Sequence, residues 1–189
     1  MTAPVRIKAQ PTPNPMAVKF IMDRQVKVGG KISINDPSLA QGVPLARLIL
    51  QLPCIVQVHF FDNAITVTQD GNESWSNLET DILEIIRANI DQHNPEFDLE
   101  SSEGVTKQRD YADLPENIRT IEEILDRTIR PGLQADGGDL TVLELDGNIL
   151  TIQYEGACGG CPSALMGTLQ AIQGILRNEF DESLMVVAV

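Results

Sequence analysis

Apolar and polar positions alternate along the first half of the chain in short runs with a clear period. Met16–Met22 (MAVKFIM) reads as a strand, Gln25–Val28 as a possible second, and Lys31–Ile34 as its resumption after Gly29-Gly30. Leu39, Val43, Ala46 and Leu50 recur at helical spacing between Pro37 and Pro53, with Leu45, Leu48, Ile49 and Leu52 widening the apolar face. Ile55–Phe61 is rich in β-branched and aromatic residues, and Asp62-Asn63 suits a tight turn into a further strand. In that strand Ile65-Thr66-Val67-Thr68 alternates strictly, which predicts one buried and one wet face. Ser76 and Glu79 have capping-box spacing, and Leu78, Ile82, Ile85 and Ile90 form the stripe of the helix that follows. Pro11-Thr-Pro-Asn-Pro15 can continue neither a helix nor a central strand and reads as an extended lead-in.

Residues 93–114 keep neither period, and charged and small side chains dominate them, as in a flexible linker. The pattern then resumes. Ile118, Ile121, Leu125 and Ile129 define a helix that stops at Arg130-Pro131-Gly132. Asp136-Gly137-Gly138-Asp139 reads as a turn, and Leu140–Leu145 and Ile149–Tyr154 as strands joined at Asp146-Gly147. Leu165, Leu169, Ile172 and Leu176 mark another helix, and Met185–Val189 a closing strand. The expected class is α+β with two small domains, β-β-α-β-β-α over 1–92 and α-β-β-α-β over 115–189, joined by an acidic linker over 93–114.

Composition narrows the partners. The net charge of the 189 residues is −13, and it is uneven: residues 1–92 carry −1, 93–114 carry −4 and 115–189 carry −8. No basic stretch could form a phosphate footprint, so nucleic acid is not an expected partner, and an anionic membrane surface is disfavoured for the same reason. No apolar run approaches the ~20 residues of a membrane span. The first fifteen residues have neither the apolar core of a signal peptide nor the Arg/Ser-rich amphipathic character of a transit peptide. Three cysteines do not make a disulfide framework. A reducing, cytoplasmic location is therefore expected.

The candidate chemistry lies in Gly156-Ala157-Cys158-Gly159-Gly160-Cys161-Pro162-Ser163, between a strand end and a helix start. Pro162 suits the first turn of that helix, and the glycines let both sulfurs point the same way. Helix-start N–H groups and the helix dipole are expected to favour thiolate. Three readings compete. The cysteines could be inert core residues, although glycine-flanked thiols on a loop make poor core filler. They could be a dithiol–disulfide redox pair, but the thioredoxin-like arrangement needs a βαβ unit before the motif and further strands after it. They could be half of a metal site, completed by the same pair from a second chain across a two-fold axis, because a zinc ion or iron–sulfur cluster takes about four ligands. Cys54, His59 and His93 lie outside this domain. Cys54 and His59 read as strand packing, Trp75 as a staple between helix and hairpin, and Asp136 and Asp139 as turn residues. Ser/His/Asp sets, phosphate loops and dinucleotide fingerprints do not occur.

The segment Arg130–Asp139, the hairpin after it, Gly156–Ser163 and Thr168-Leu169 closely resemble the NifU-like C-terminal domain of Nfu proteins. The front half resembles the Nfu N-terminal domain at Thr12–Pro15, Lys19-Phe20, Pro37–Leu39, Ile65–Thr68 and Trp75. The resemblance implies a non-enzymatic iron–sulfur scaffold or carrier. Cys158 and Cys161 would hold a [4Fe-4S] cluster between the two chains of a homodimer. Upstream assembly proteins would supply the cluster and apo iron–sulfur proteins would receive it. Cys54-Ile55 departs from the family, which more often has Gly-Val there.

Overall fold

The structure, a computed structural model, describes residues 4–100, 105–107, 110–160 and 162–189, without the side chains of 106, 107 and 159–166. Two sheets organise an α+β architecture. The first has six strands: β1 (Ile7–Pro11), β2 (Ala17–Met22), β3 (Lys31–Ile34), β4 (Ile55–Phe61), β5 (Ala64–Gln69) and β6 (Val105–Lys107). They lie in the order β1-β2-β5-β4-β3-β6, every neighbouring pair antiparallel. Helices α1 (Pro44–Leu50) and α2 (Trp75–Asn89) complete this body. The second body runs α3 (Glu116–Thr128), α4 (Arg130–Ala135), the hairpin β7 (Gly138–Asp146) and β8 (Ile149–Gly156), α5 (Pro162–Glu179) and β9 (Met185–Ala188). Strand β9 lies parallel to β8, a pairing that needs a long crossover, which α5 supplies.

Several boundaries differ from the sequence reading for local reasons. Strand β1 forms ahead of the lead-in, sharing only Pro11 with it, and pairs with β2, while 25–28 forms no strand. The helix expected from Pro37 begins only at Pro44. Proline disfavours helical geometry in the residue before it, and Val43 accordingly lies outside the helical region at φ −130° and ψ 80°. The box between Ser76 and Glu79 does not cap α2, whose N-cap residue is Ser74. Beyond α3, Pro131 sits in the first turn of the short α4 rather than ending helical structure, since its missing N–H is harmless there. Within the connector, Phe97 is buried edge-on against Phe60 at 5.3 Å, and β6 adds to the edge of β3.

The largest difference concerns the polar face of the first sheet. Side chains alternate faces along a strand, so Phe20, Ile32, Ile34, Val58, Phe60, Ile65 and Val67 share the apolar core with α1 and α2. The register aligns Lys19, Thr66, His59 and Ser33 across β2, β5, β4 and β3 on the opposite face. That face is not wet. Thr66, Thr68, His59, Ser33 and Lys31 are buried because the second body packs on them. The alternation Ile65-Thr66-Val67-Thr68 is real, but its polar half meets another domain instead of water.

Charge holds this junction. Lys31, 3% exposed at the side chain, lies 3.1 Å from Asp139 and 3.2 Å from Glu155, each 1% exposed, and bonds the Leu140 carbonyl. The Ser33 hydroxyl donates to Glu155 at 2.8 Å and lies 2.7 Å from His59 Nδ1. Arg130 continues the network from Asp139, at 3.2 Å, to Glu122 and Asp126. A buried charge costs several kcal/mol unless it is paired, so neither body can bury its share alone. Replacing Lys31 by Met is therefore expected to destabilise the whole chain by about 3–5 kcal/mol in chemical denaturation, because Glu155 is left buried without its cation. A loss below about 1 kcal/mol would show that the junction does not depend on this pair.

Candidate functional site

Strand β8 delivers the cysteine turn directly to that junction. Gly156, its last residue, has φ +59°, a conformation suited to glycine. Its N–H donates to Gln57 Oε1 at 2.7 Å, just after the bulge at Ile55/Gln57 in β4, and its carbonyl accepts from the Thr68 hydroxyl at 3.4 Å. A 3-10 turn, Ala157–Gly160, follows and leads into α5, which opens at Pro162 as expected. The approach is too close for side chains. A Cβ on Gly156 would lie 2.5 Å from the Gly137 carbonyl, and one on Gly138 would lie 2.3 Å from Cys158 Sγ. Gly138 is thus the floor on which Cys158 rests, while Gly137 faces Lys19 and Thr66.

Cys158 is a free, half-buried thiol that packs against the second core. It opens on a pocket lined by Pro13 and Asn14 from the first body and by Leu133, Asp136, Tyr154, Ala157 and Thr168 from the second. Cys161 lies outside the described residues. The expected activation of the thiol is not what surrounds Cys158. Burial, and then the carboxylates of Asp139 and Asp136, push its pKa up to about 12, and Lys31 offsets this only in part. Burial and proximity to Cys158 likewise push Tyr154 up to about 12.

The other sequence candidates fall in different places. Asp139 is not merely a turn residue. Burial alone would raise its pKa, but Lys31 and Arg130 outweigh burial and hold it below the usual carboxylate range. His59 is a junction residue, and burial lowers its pKa despite Glu155 nearby. His93 stacks at 5.9 Å on Phe60 and bonds the Val26 carbonyl. Cys54 is not in the core. It occupies a turn at φ +70°, half-buried, and bonds Asp70. Left-handed geometry of this kind favours glycine, so the Cβ of Cys54 sits in a conformation that side chains rarely adopt. Trp75 staples the first turn of α2 not to the hairpin but to the lead-in, donating from its indole to the Pro15 carbonyl at 2.9 Å. Lys31, Ser33 and Glu155 went unnoticed in sequence, where the only available signal was a lysine and a serine inside strand β3, and Asn14 entered only as part of the Pro11–Pro15 lead-in. Among the described residues, three or more ligand-type side chains never converge as a metal site would require. Nor is any described helix long and apolar enough to cross a membrane.

Comparison with known proteins matches both halves. The profile of the NifU-like domain matches residues 121–187, and that of the scaffold protein Nfu/NifU N terminal matches residues 7–93. A protein named NifU-like protein 4, mitochondrial, from Arabidopsis thaliana is 31% identical over 179 residues, covering 93% of this chain and 63% of its own length. A protein named NFU1 iron-sulfur cluster scaffold homolog, mitochondrial, from Homo sapiens is 32% identical over 183 residues, covering 95% of this chain and 71% of its own. The chain thus spans a little under two thirds of the plant relative. The solution structure of a NifU-like protein from Saccharomyces cerevisiae aligns with 47% of this chain and 80% of its own at 24% identity, with a TM-score of 0.43. The relatives correct the cytoplasmic expectation, because their names are mitochondrial and point to that compartment. Free thiols call for a reducing environment, which does not single out the cytoplasm.

The raised thiol pKa has a direct consequence. A group whose pKa lies near 12 is protonated throughout the neutral range, and only the thiolate is alkylated. Capture of Cys158 by iodoacetamide in the metal-free chain, followed by peptide mass, should be slow at pH 8. It should climb about tenfold per pH unit without a plateau below about pH 11. A plateau near pH 8 would mean an ordinary exposed thiol.

Proposed function

Since the chain belongs to the Nfu/NifU scaffold family, we propose that it is a non-enzymatic iron–sulfur carrier whose cargo is a [4Fe-4S] cluster held by Cys158 and Cys161. Two chains would supply four thiolates, and the cluster would pass from assembly proteins to apo iron–sulfur proteins. The division of labour we adopt has residues 1–92 as the first body, 93–114 as a connector that lends Phe97 and β6 to that body, and 115–189 as the cluster-holding body.

The observation that carries this reading is the setting of Cys158. Its thiol borders a pocket on a backbone fixed just before it by the hydrogen bonds of Gly156, and the described residues bring no complete ligand set to it. Such a half-site suits cargo better than a resident cofactor. Ligands drawn from two chains can be exchanged one by one for a recipient's cysteines, whereas four from one chain enclose the cluster. A thiol with a raised pKa also suits metal binding better than dithiol exchange. Exchange needs thiolate at neutral pH, while a metal displaces the proton from the sulfur it coordinates.

The test is anaerobic reconstitution of the whole chain with iron and sulfide, read by the visible charge-transfer band and by iron and sulfide counts. The parent chain should load. Cys158→Ser and Cys161→Ser should each lose stable loading, because serine is a poor ligand for soft metals. Cys54→Ser should load like the parent. If Cys158→Ser/Cys161→Ser loads and delivers like the parent, the reading fails.

A further inference from the structure

The pocket beside Cys158 contains two polar atoms that the half-site leaves unused. Asn14 is 2% exposed and Tyr154 is 7% exposed. Among the described residues, neither the Asn14 side-chain nitrogen nor the Tyr154 hydroxyl has a hydrogen-bond partner, and both residues line the pocket that Cys158 borders. An unpaired buried polar group costs on the order of 1–3 kcal/mol, and such groups are rare in folded proteins. Two at one pocket, one from each body, call for a partner that the pocket receives.

The chemistry of that partner follows from the two groups. The Asn14 carboxamide cannot be turned round, because its Oδ1 accepts the Met16 N–H at 2.9 Å and so leaves the NH2, which can only donate. The turn that carries it is tied down on both sides. The Asn14 carbonyl accepts from Ala17 N–H at 3.0 Å and from the Thr12 hydroxyl at 2.9 Å, and the Trp75 indole holds Pro15. Tyr154 is fixed on β8 opposite Leu140 and lines the same pocket as Cys158. Two preorganised donors beside a ligand thiol fit an anionic sulfur acceptor, either a coordinated thiolate or a cluster sulfide.

We infer that Asn14 and Tyr154 are positioning residues that donate hydrogen bonds to the sulfur of the cargo held at Cys158, which gives the first body a direct part in the site. The inference rests on the carrier reading above. Hydrogen bonds to cluster sulfurs stabilise the reduced, more negative state and raise the reduction potential. The first body thereby tunes the cargo without supplying a ligand.

The test uses the full chain, with Tyr154→Phe and Asn14→Asp. The first removes only the unpaired hydroxyl. The second keeps the Oδ1 acceptor of the turn and removes the donor, and Asn14→Ser serves as a second variant that also retains a turn-forming oxygen. All are reconstituted anaerobically with iron and sulfide, then followed for loading, loss of the visible band to a chelator, and midpoint potential. Thermal unfolding of the metal-free chains is measured alongside. Metal-free Tyr154→Phe should be as stable as the parent or more so, since it loses an unsatisfied group. Each variant should load, lose its cluster about fivefold faster, the worth of one net hydrogen bond, and show a more negative potential. Retention and potential indistinguishable from the parent in Tyr154→Phe and in Asn14→Ser, the variants that add no charge, would overturn the assignment and leave the carrier reading standing. A parent chain that takes up no iron and sulfide would overturn the carrier reading, and the assignment with it.

Discussion

A buried lysine from one sheet, set between two buried carboxylates of another, is the constraint on which the rest of the arrangement depends. Lys31 belongs to β3, and Asp139 and Glu155 belong to β7 and β8. Desolvating any of them alone costs several kcal/mol, so the two bodies gain by closing on each other and lose heavily by closing in a wrong register. Closure buries the threonines, serine and histidine of the first sheet. These residues could have faced water, but here they find partners in the second body. Arg130 adds a second cation from within the second body, so that Asp139 is paired from both sides.

The cysteine turn inherits its position from this closure. Glu155 is held by Lys31, Ser33 and Thr141, and Gly156 by Gln57 and Thr68, so the backbone is fixed immediately before Cys158. The glycines at 137, 138 and 156 let the backbones approach closely enough for these bonds to form. The same closure brings the lead-in of the first body, with Asn14, to the pocket that Cys158 borders. A thiol placed in this way is protected as well as positioned. Burial and the nearby carboxylates keep it protonated until something displaces the proton.

The parts of the fold legible in sequence were those governed by local period. The strands at 17–22, 55–61 and 149–156, the helices at 116–128 and 162–179, and the hairpin at Asp146-Gly147 all follow from alternation, helical spacing or turn chemistry. The motif around Cys158 was legible because it packs glycines, thiols and a proline into one strand-to-helix turn. What sequence did not reveal depends on pairing at long range. Lys31 and Glu155 are 124 positions apart, and neither has a local signature that separates a buried ion pair from a solvated strand residue. Thr66 and Thr68 fit a wet face as well as they fit a docked one. The unpaired amide of Asn14 appears only once the pocket is assembled from both bodies.

A native mass measurement on the reconstituted full chain counts chains and cluster in one particle. The expected particle is two chains carrying a single four-iron, four-sulfur cluster, with metal-free protein as the single chain. A complete cluster on one chain, or a pair of chains with no iron, would contradict it.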